Sequence, residues 1–235
     1  MTFETQQKDW IGVLGGATRY SNLQVIAAYK IGREIARRGK NLVTGATNGI
    51  PYAAAIGAKR EGARVVGISP ASSVEEHLFK YKKPIDYADI IVYTGLGVAG
   101  RSPVIIQSIS GAIFIGGEFG TINEFSAAWM RGSNVLGILE EEGGISESLV
   151  DLLSKIETGW GSKVLLDSDP IELVSRVCRE VDELYLTNAL EQRSEAVGMD
   201  IKNTIQQFLD HERENSCAMP SGNTLTGKSS TIDLR

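Results

Sequence analysis

A chain of 235 residues, 42% of them hydrophobic and 23% charged, has the length and balance of one globular α/β domain with an appendage, and collagen-like or wholly unfolded classes are excluded. The formal net charge of −5 excludes a broad basic footprint on nucleic acid, so a small-molecule ligand is favoured. No segment approaches the roughly 18 uninterrupted apolar residues of a membrane span, and the opening MTFETQQKDW has no basic region followed by an apolar run.

The two cysteines, Cys178 and Cys217, are spaced neither as a disulfide framework nor as zinc ligands, which points to the reducing cytoplasm. The two histidines, His77 and His211, stand far apart in the chain, so no metal centre is expected and no metal or redox cofactor is called for.

In chain order, short apolar runs alternate with amphipathic stretches. The pattern predicts a strand over 10–14, a helix over 22–38, a strand over 41–44, a helix over 51–61 and strands over 63–68, 90–94 and 112–115. A helix over 123–130, a strand over 135–139, a helix over 146–156, a strand over 163–166 and a helix over 170–184 follow. Such alternation predicts a Rossmann-like three-layer α/β fold, with a mostly parallel sheet of about seven strands covered on both faces. Ligands of such sheets sit at the carboxyl ends of the strands. Residues 1–186 form the predicted nucleotide-binding domain, 187–214 a helical arm suited to packing or assembly, and 215–235, rich in Ser, Thr and Gly, a disordered tail.

Glycines gather at those strand ends: Gly15 and Gly16, Gly45 and Gly49, Gly95, Gly97 and Gly100, Gly116 and Gly117. Residues 112–125, AIFIGGEFGTINEF, read as a buried strand, a glycine turn and a helix start. Gly116, Gly117 and Gly120 let backbone amides approach a ligand, and the helix start adds free N–H donors and a partial positive charge, which together make a phosphate site. Thr121 is able to bond a phosphate oxygen, while Thr121 and Glu124 also spell a capping box; the two roles are compatible.

Arg101 is the only basic side chain between Lys83 and Arg131 and follows the turn 95–100 at the same edge, as a ligand clamp or as a plain surface arginine. Ser102 and Pro103 resemble a helix start, which puts Arg101 at the lip of that turn. Residues 95–100 also fit G-x-G-x-x-G, with Glu118 as the ribose-binding acid, but too few residues follow for the full-length helix of a dinucleotide site.

With these residues in place, the chain resembles the LONELY GUY-type family of Rossmann proteins, formerly called lysine decarboxylase-like, whose signature is P-G-G-x-G-T-x-x-E preceded by M-x-x-R-K. Residues 116–124, GGEFGTINE, fall on that signature: Gly117, Gly120, Thr121 and Glu124 keep the family's types, and Arg101 falls on its arginine, 23 residues before the glutamate. Residues 11–16 are similar to the family's opening strand and turn and 44–50 to its second glycine turn, so the resemblance spans roughly 9–180. Gly116 replaces the family's proline, Val98 its methionine, Ser102 its lysine and Glu118 a glycine of the phosphate turn. A carboxylate there repels phosphate unless it turns away or meets a cation such as Arg101. These departures look more like the branch that includes molybdenum cofactor carrier proteins than like the cytokinin-activating enzymes.

The resemblance implies first a nucleoside 5′-monophosphate phosphoribohydrolase, a hydrolase that cleaves the N-glycosidic bond to free base and ribose 5-phosphate. Glu124 would stabilise the oxocarbenium-like ribose or activate water, and Arg101 would orient the phosphate or assist the departing base. Gly116, Gly117, Gly120 and Thr121 would hold the phosphate, with Gly15, Gly16 and Gly45 as further ligand contacts. The alternative is a non-catalytic carrier or sensor of a phosphorylated ligand, the molybdenum cofactor or a nucleotide, which Glu118 and the missing lysine favour. The resemblance also implies a homo-oligomer.

Overall fold

The structure is a computed structural model that describes residues 10–140, 145–155 and 161–192, together with 206, 207 and 210. The chain divides into two units, Met1–Thr187, which holds the sheet, and Asn188–Arg235. The elements follow one another as β1 (Trp10–Gly15), α1 (Asn22–Arg37), β2 (Asn41–Thr44), α2 (Ile50–Arg60), β3 (Val65–Ser69), a π-helical turn (Glu76–Lys80), β4 (Ile90–Tyr93), α3 (Gly97–Gln107) and β5 (Gly111–Ile115). They continue as α4 (Phe119–Arg131), β6 (Val135–Leu139), α5 (Ile145–Lys155), β7 (Lys163–Asp167) and α6 (Pro170–Gln192).

The seven strands make one all-parallel sheet in the order β4-β3-β2-β1-β5-β6-β7. Its central strands are apolar throughout because both faces are covered. On one face Ile11, Val13, Leu42, Val65, Ile113 and Val135 share a core with Ile31 of α1, Ala54 of α2 and Val177 of α6. On the other, Leu14, Val43, Ile68, Phe114 and Leu136 meet Ile105 of α3, Phe125 of α4 and Leu149 of α5. This is the predicted Rossmann-like three-layer fold.

From β1 the chain steps outward through β2, β3 and β4, and α3 then carries it back to lay β5 on the other side of β1. The strand order therefore reverses between β1 and β5, and the crevice beyond their carboxyl ends is where sheets of this class hold ligands. The two strands pair in register from Ile11 opposite Gly111 to Gly15 opposite Ile115, so their glycine turns leave the sheet side by side.

Two helix starts differ from the predicted ones. The helix after β4 begins at Gly97, not at Ser102, so Arg101 lies in its second turn and Pro103 inside it. Proline there leaves the Ala99 carbonyl without its usual N–H donor; Asn123 Nδ2 donates to that carbonyl instead, at 3.4 Å. The helix after β5 begins at Phe119 with Glu118 as its N-cap and no side-chain capping bond. The amides of Thr121 and Ile122 both donate to the Glu118 carbonyl, at 2.9 and 3.2 Å, so Thr121 and Glu124 do not form the expected capping box.

At the far end, α6 runs on to Gln192. Apart from 206, 207 and 210, the rest of the predicted arm and the tail 215–235, with His211 and Cys217, lie outside the described residues. Among the described residues no helix is long and apolar enough to cross a membrane.

Candidate functional site

A cleft of about 420 Å³ opens at the β1–β5 switch. Its walls are Gly15 at the end of β1 with Gly16, Ala17 and Thr18 after it, Gly45 and Thr47 after β2, Val98, Ala99, Arg101 and Ser102 of α3, and Glu118 to Thr121 with Asn123 and Glu124 at the start of α4. The first of these turns is anchored by the Gly16 carbonyl, which accepts from the Ile50 amide at 2.9 Å and so ties β1 to the start of α2.

Gly116 and Gly117 are absent from the walls and shape the turn from behind. Gly117 has φ +98°, and a Cβ there would stand 2.1 Å from Thr121 Oγ1, so glycine is what lets the Thr121 side chain fold back over the turn. Gly120 is different. It lines the cleft, yet a Cβ on it would meet nothing within 4 Å, so packing does not require glycine at this position. The missing side chain leaves the backbone at the helix start open to a ligand.

In the first turn of a helix the amides have no intrahelical acceptor. Because the Thr121 amide is committed to the Glu118 carbonyl, the donors left for an anion are those of Phe119 and Gly120, one step earlier than the sequence suggests.

Arg101 and Glu124 come together at the cleft. Each side chain is 9% exposed, and Arg101 Nη2 lies 4.0 Å from Glu124 Oε1. Arg101 Nη1 donates to the Ile68 carbonyl at 3.2 Å, whereas its Nε is buried with no hydrogen-bond partner. The guanidinium lies against Gly45, where a Cβ would stand 2.4 Å from Nη1, so the glycine after β2 makes the room that Arg101 occupies.

Burial disfavours both charges: it holds Arg101 below the ordinary arginine range and pushes Glu124 up to about 7, each opposed by the attraction of the other. The Glu124 carboxyl has no hydrogen-bond partner among the described residues, leaving a group that takes or gives a proton near neutral pH.

Glu118 does not meet Arg101. Its partner is Arg19, at 3.7 Å, and with side chains 48% and 86% exposed the pair contributes little. Ser102, at the position of the family's lysine, is buried and accepts from Asn123 Nδ2 at 3.0 Å, which ties α3 to α4. Cys178 does not line the cleft, and burial pushes its thiol up to about 12, far from a reactive thiolate. Phe119, Asn123 and Thr47 line the site without having been singled out in the sequence, and Val98 was marked only as a departure from the family's methionine. The one available signal was an aromatic residue, Phe119, inside a glycine turn.

The sequence model of the SLOG cluster4 family matches residues 8–173. An uncharacterized protein of Archaeoglobus fulgidus is 35% identical over 130 residues, which cover 54% of this chain and 78% of that protein. The fold is similar to the molybdenum cofactor binding protein of the phototrophic bacterium Rippkaea orientalis, with a TM-score of 0.61 and 27% identity over 75% of this chain and 99% of that one. It is also similar to the molybdenum cofactor carrier protein of Chlamydomonas reinhardtii, with a TM-score of 0.58 and 25% identity over 74% and 98% of the two chains.

Proposed function

This chain belongs to the SLOG cluster4 family, within the LOG-like SLOG superfamily, and from that premise we propose that it binds a phosphorylated heterocyclic small molecule in the β1–β5 cleft and carries it unchanged. The observation that carries the reading is Arg101: a buried guanidinium with an unpartnered Nε, on the wall of a cleft whose other side offers helix-start amides at an open glycine. Buried donors are nearly always satisfied, and one without a partner in the wall of a cleft supports an acceptor supplied by a ligand.

A phosphorylated pterin of the molybdenum cofactor kind is the cargo we favour, because the likeness to proteins named for that cofactor runs over almost their whole length. The residues suit it: the Phe119 and Gly120 amides would receive the phosphate, Arg101 would donate to a second acceptor, and about 420 Å³ falls in the range of small-molecule sites. Ser102 in place of a lysine supports the same reading, since its hydroxyl is engaged with Asn123. We place the protein in the cytoplasm and in a homo-oligomer.

This order reverses the first expectation, a phosphoribohydrolase, which becomes the second reading. One observation favours the hydrolase: Glu124, buried opposite Arg101 with its carboxyl raised to about 7, suits proton transfer or charge stabilisation at a breaking glycosidic bond. Incubation with a panel of nucleoside monophosphates, followed by chromatography for free base, separates the two. The carrier reading expects binding without base release. Base release by the wild type that is lost in Glu124→Gln, with binding retained, would select the hydrolase.

A further inference from the structure

We propose that Phe119, with Val98 lining the same cleft, is the platform on which the planar ring of the ligand stacks, and so selects a flat heterocycle attached to the phosphate. The inference rests on reading the start of α4 as the phosphate site.

Phe119 is 88% exposed, and no large hydrophobic side chain among the described residues is more so. It makes no aromatic contact among those residues, so the fold gains nothing from its ring, which keeps a wide apolar area in water. Val98, in the first turn of α3, is 54% exposed and lines the same cleft. Both helix starts are held together by Asn123, whose Nδ2 reaches the Ala99 carbonyl at 3.4 Å and Ser102 Oγ at 3.0 Å. The helix starts that carry the two apolar side chains are therefore joined to each other.

A second, independent observation points to a ligand in this cleft: the Arg101 side chain, 91% buried, lines it and keeps an Nε with no hydrogen-bond partner. The cleft thus joins an anion-binding floor to an apolar aromatic rim. A phosphate alone uses the first and leaves the second wet; a phosphate that carries a flat ring uses both. Pterins and purines present such a ring, and stacking on an aromatic side chain tolerates either because it reads the π-face.

The test compares two probes by calorimetry: GMP, whose pyrimidinone ring shares the amino-oxo edge of a pterin, and ribose 5-phosphate, which has no ring to stack. The wild type binds GMP more tightly than ribose 5-phosphate. Phe119→Ala weakens GMP about tenfold, as expected for loss of one stacking contact, leaves ribose 5-phosphate unchanged, and Phe119→Trp restores GMP. Unchanged GMP binding in Phe119→Ala, or equal weakening of both probes, overturns the platform. Loss of both probes together with a smaller species in sedimentation would show Phe119 to be a contact between copies of the chain, which also overturns it. If the wild type binds neither probe, the phosphate site itself fails, a result distinct from failure of the ring platform alone.

Discussion

Glu124 carries an electrostatic cost that the fold accepts at the site. Burial raises its carboxyl from 4.5 to about 7, so the folded state holds this proton more tightly than the unfolded chain does. The stability linked to the neutral form is complete below about 4.5 and is lost as pH rises through about 7. Glu124→Gln keeps the neutral shape at every pH. It is therefore expected to gain stability over the wild type as pH rises from about 4.5 through 7, by on the order of 3 kcal/mol at the plateau. Urea denaturation from pH 4 to 9 measures this, and a difference that does not vary with pH contradicts the buried carboxyl.

Arg101 and Glu124 were legible in the sequence because a motif fixes both their types and their spacing. What that spacing does not encode is the surroundings. The unpartnered Nε, the bed of Gly45 and the pairing of Glu118 with Arg19 depend on segments that meet only once β1, β2 and β5 lie side by side.

The turn and helix between Gly116 and Glu124 separate two uses of glycine that look alike in the sequence. Gly117 has a positive φ and no room for a Cβ, so Gly117→Ala is expected to destabilise the protein by roughly 2 kcal/mol or more. Gly120 has neither constraint. Gly120→Ala should stabilise α4 by about 0.5 kcal/mol through better helix propensity, while its methyl group, standing over the open amide, weakens phosphate binding at least several-fold. Thermal unfolding and phosphate titration of this variant check both signs, and an unstable variant, or one that binds as tightly as the wild type, contradicts the cradle.

In the same helix, local pattern places the start too late. Thr121 and Glu124 have the spacing of a capping box, but the backbone begins the helix at Phe119 and spends the Thr121 amide on Glu118. The start of α3 was hidden in a similar way. Ser102 and Pro103 read as cap and first turn, whereas Asn123, twenty residues beyond Pro103, supplies the donor that lets proline sit inside the helix. Local pattern misses a bond closed by another helix.

At the scale of the whole molecule the apolar runs disclosed the strands because a parallel sheet buried on both faces leaves nothing polar in their centres. Strand order was not written in those runs. It follows from which connection returns beside β1, and that step makes the β1–β5 crevice, where seven of the nine residues named from the sequence line one cleft while Gly116 and Gly117 support it from behind.

A carrier and a hydrolase share this architecture and differ in what leaves the cleft. The most direct measurement is therefore mass spectrometry of the small molecules released on denaturing the freshly purified protein. A carrier function predicts an intact phosphorylated heterocycle in near one-to-one amount, lost when Gly120→Asp sets a carboxylate against the helix start. An empty cleft in the wild type, or a ligand retained unchanged by Gly120→Asp, would contradict it.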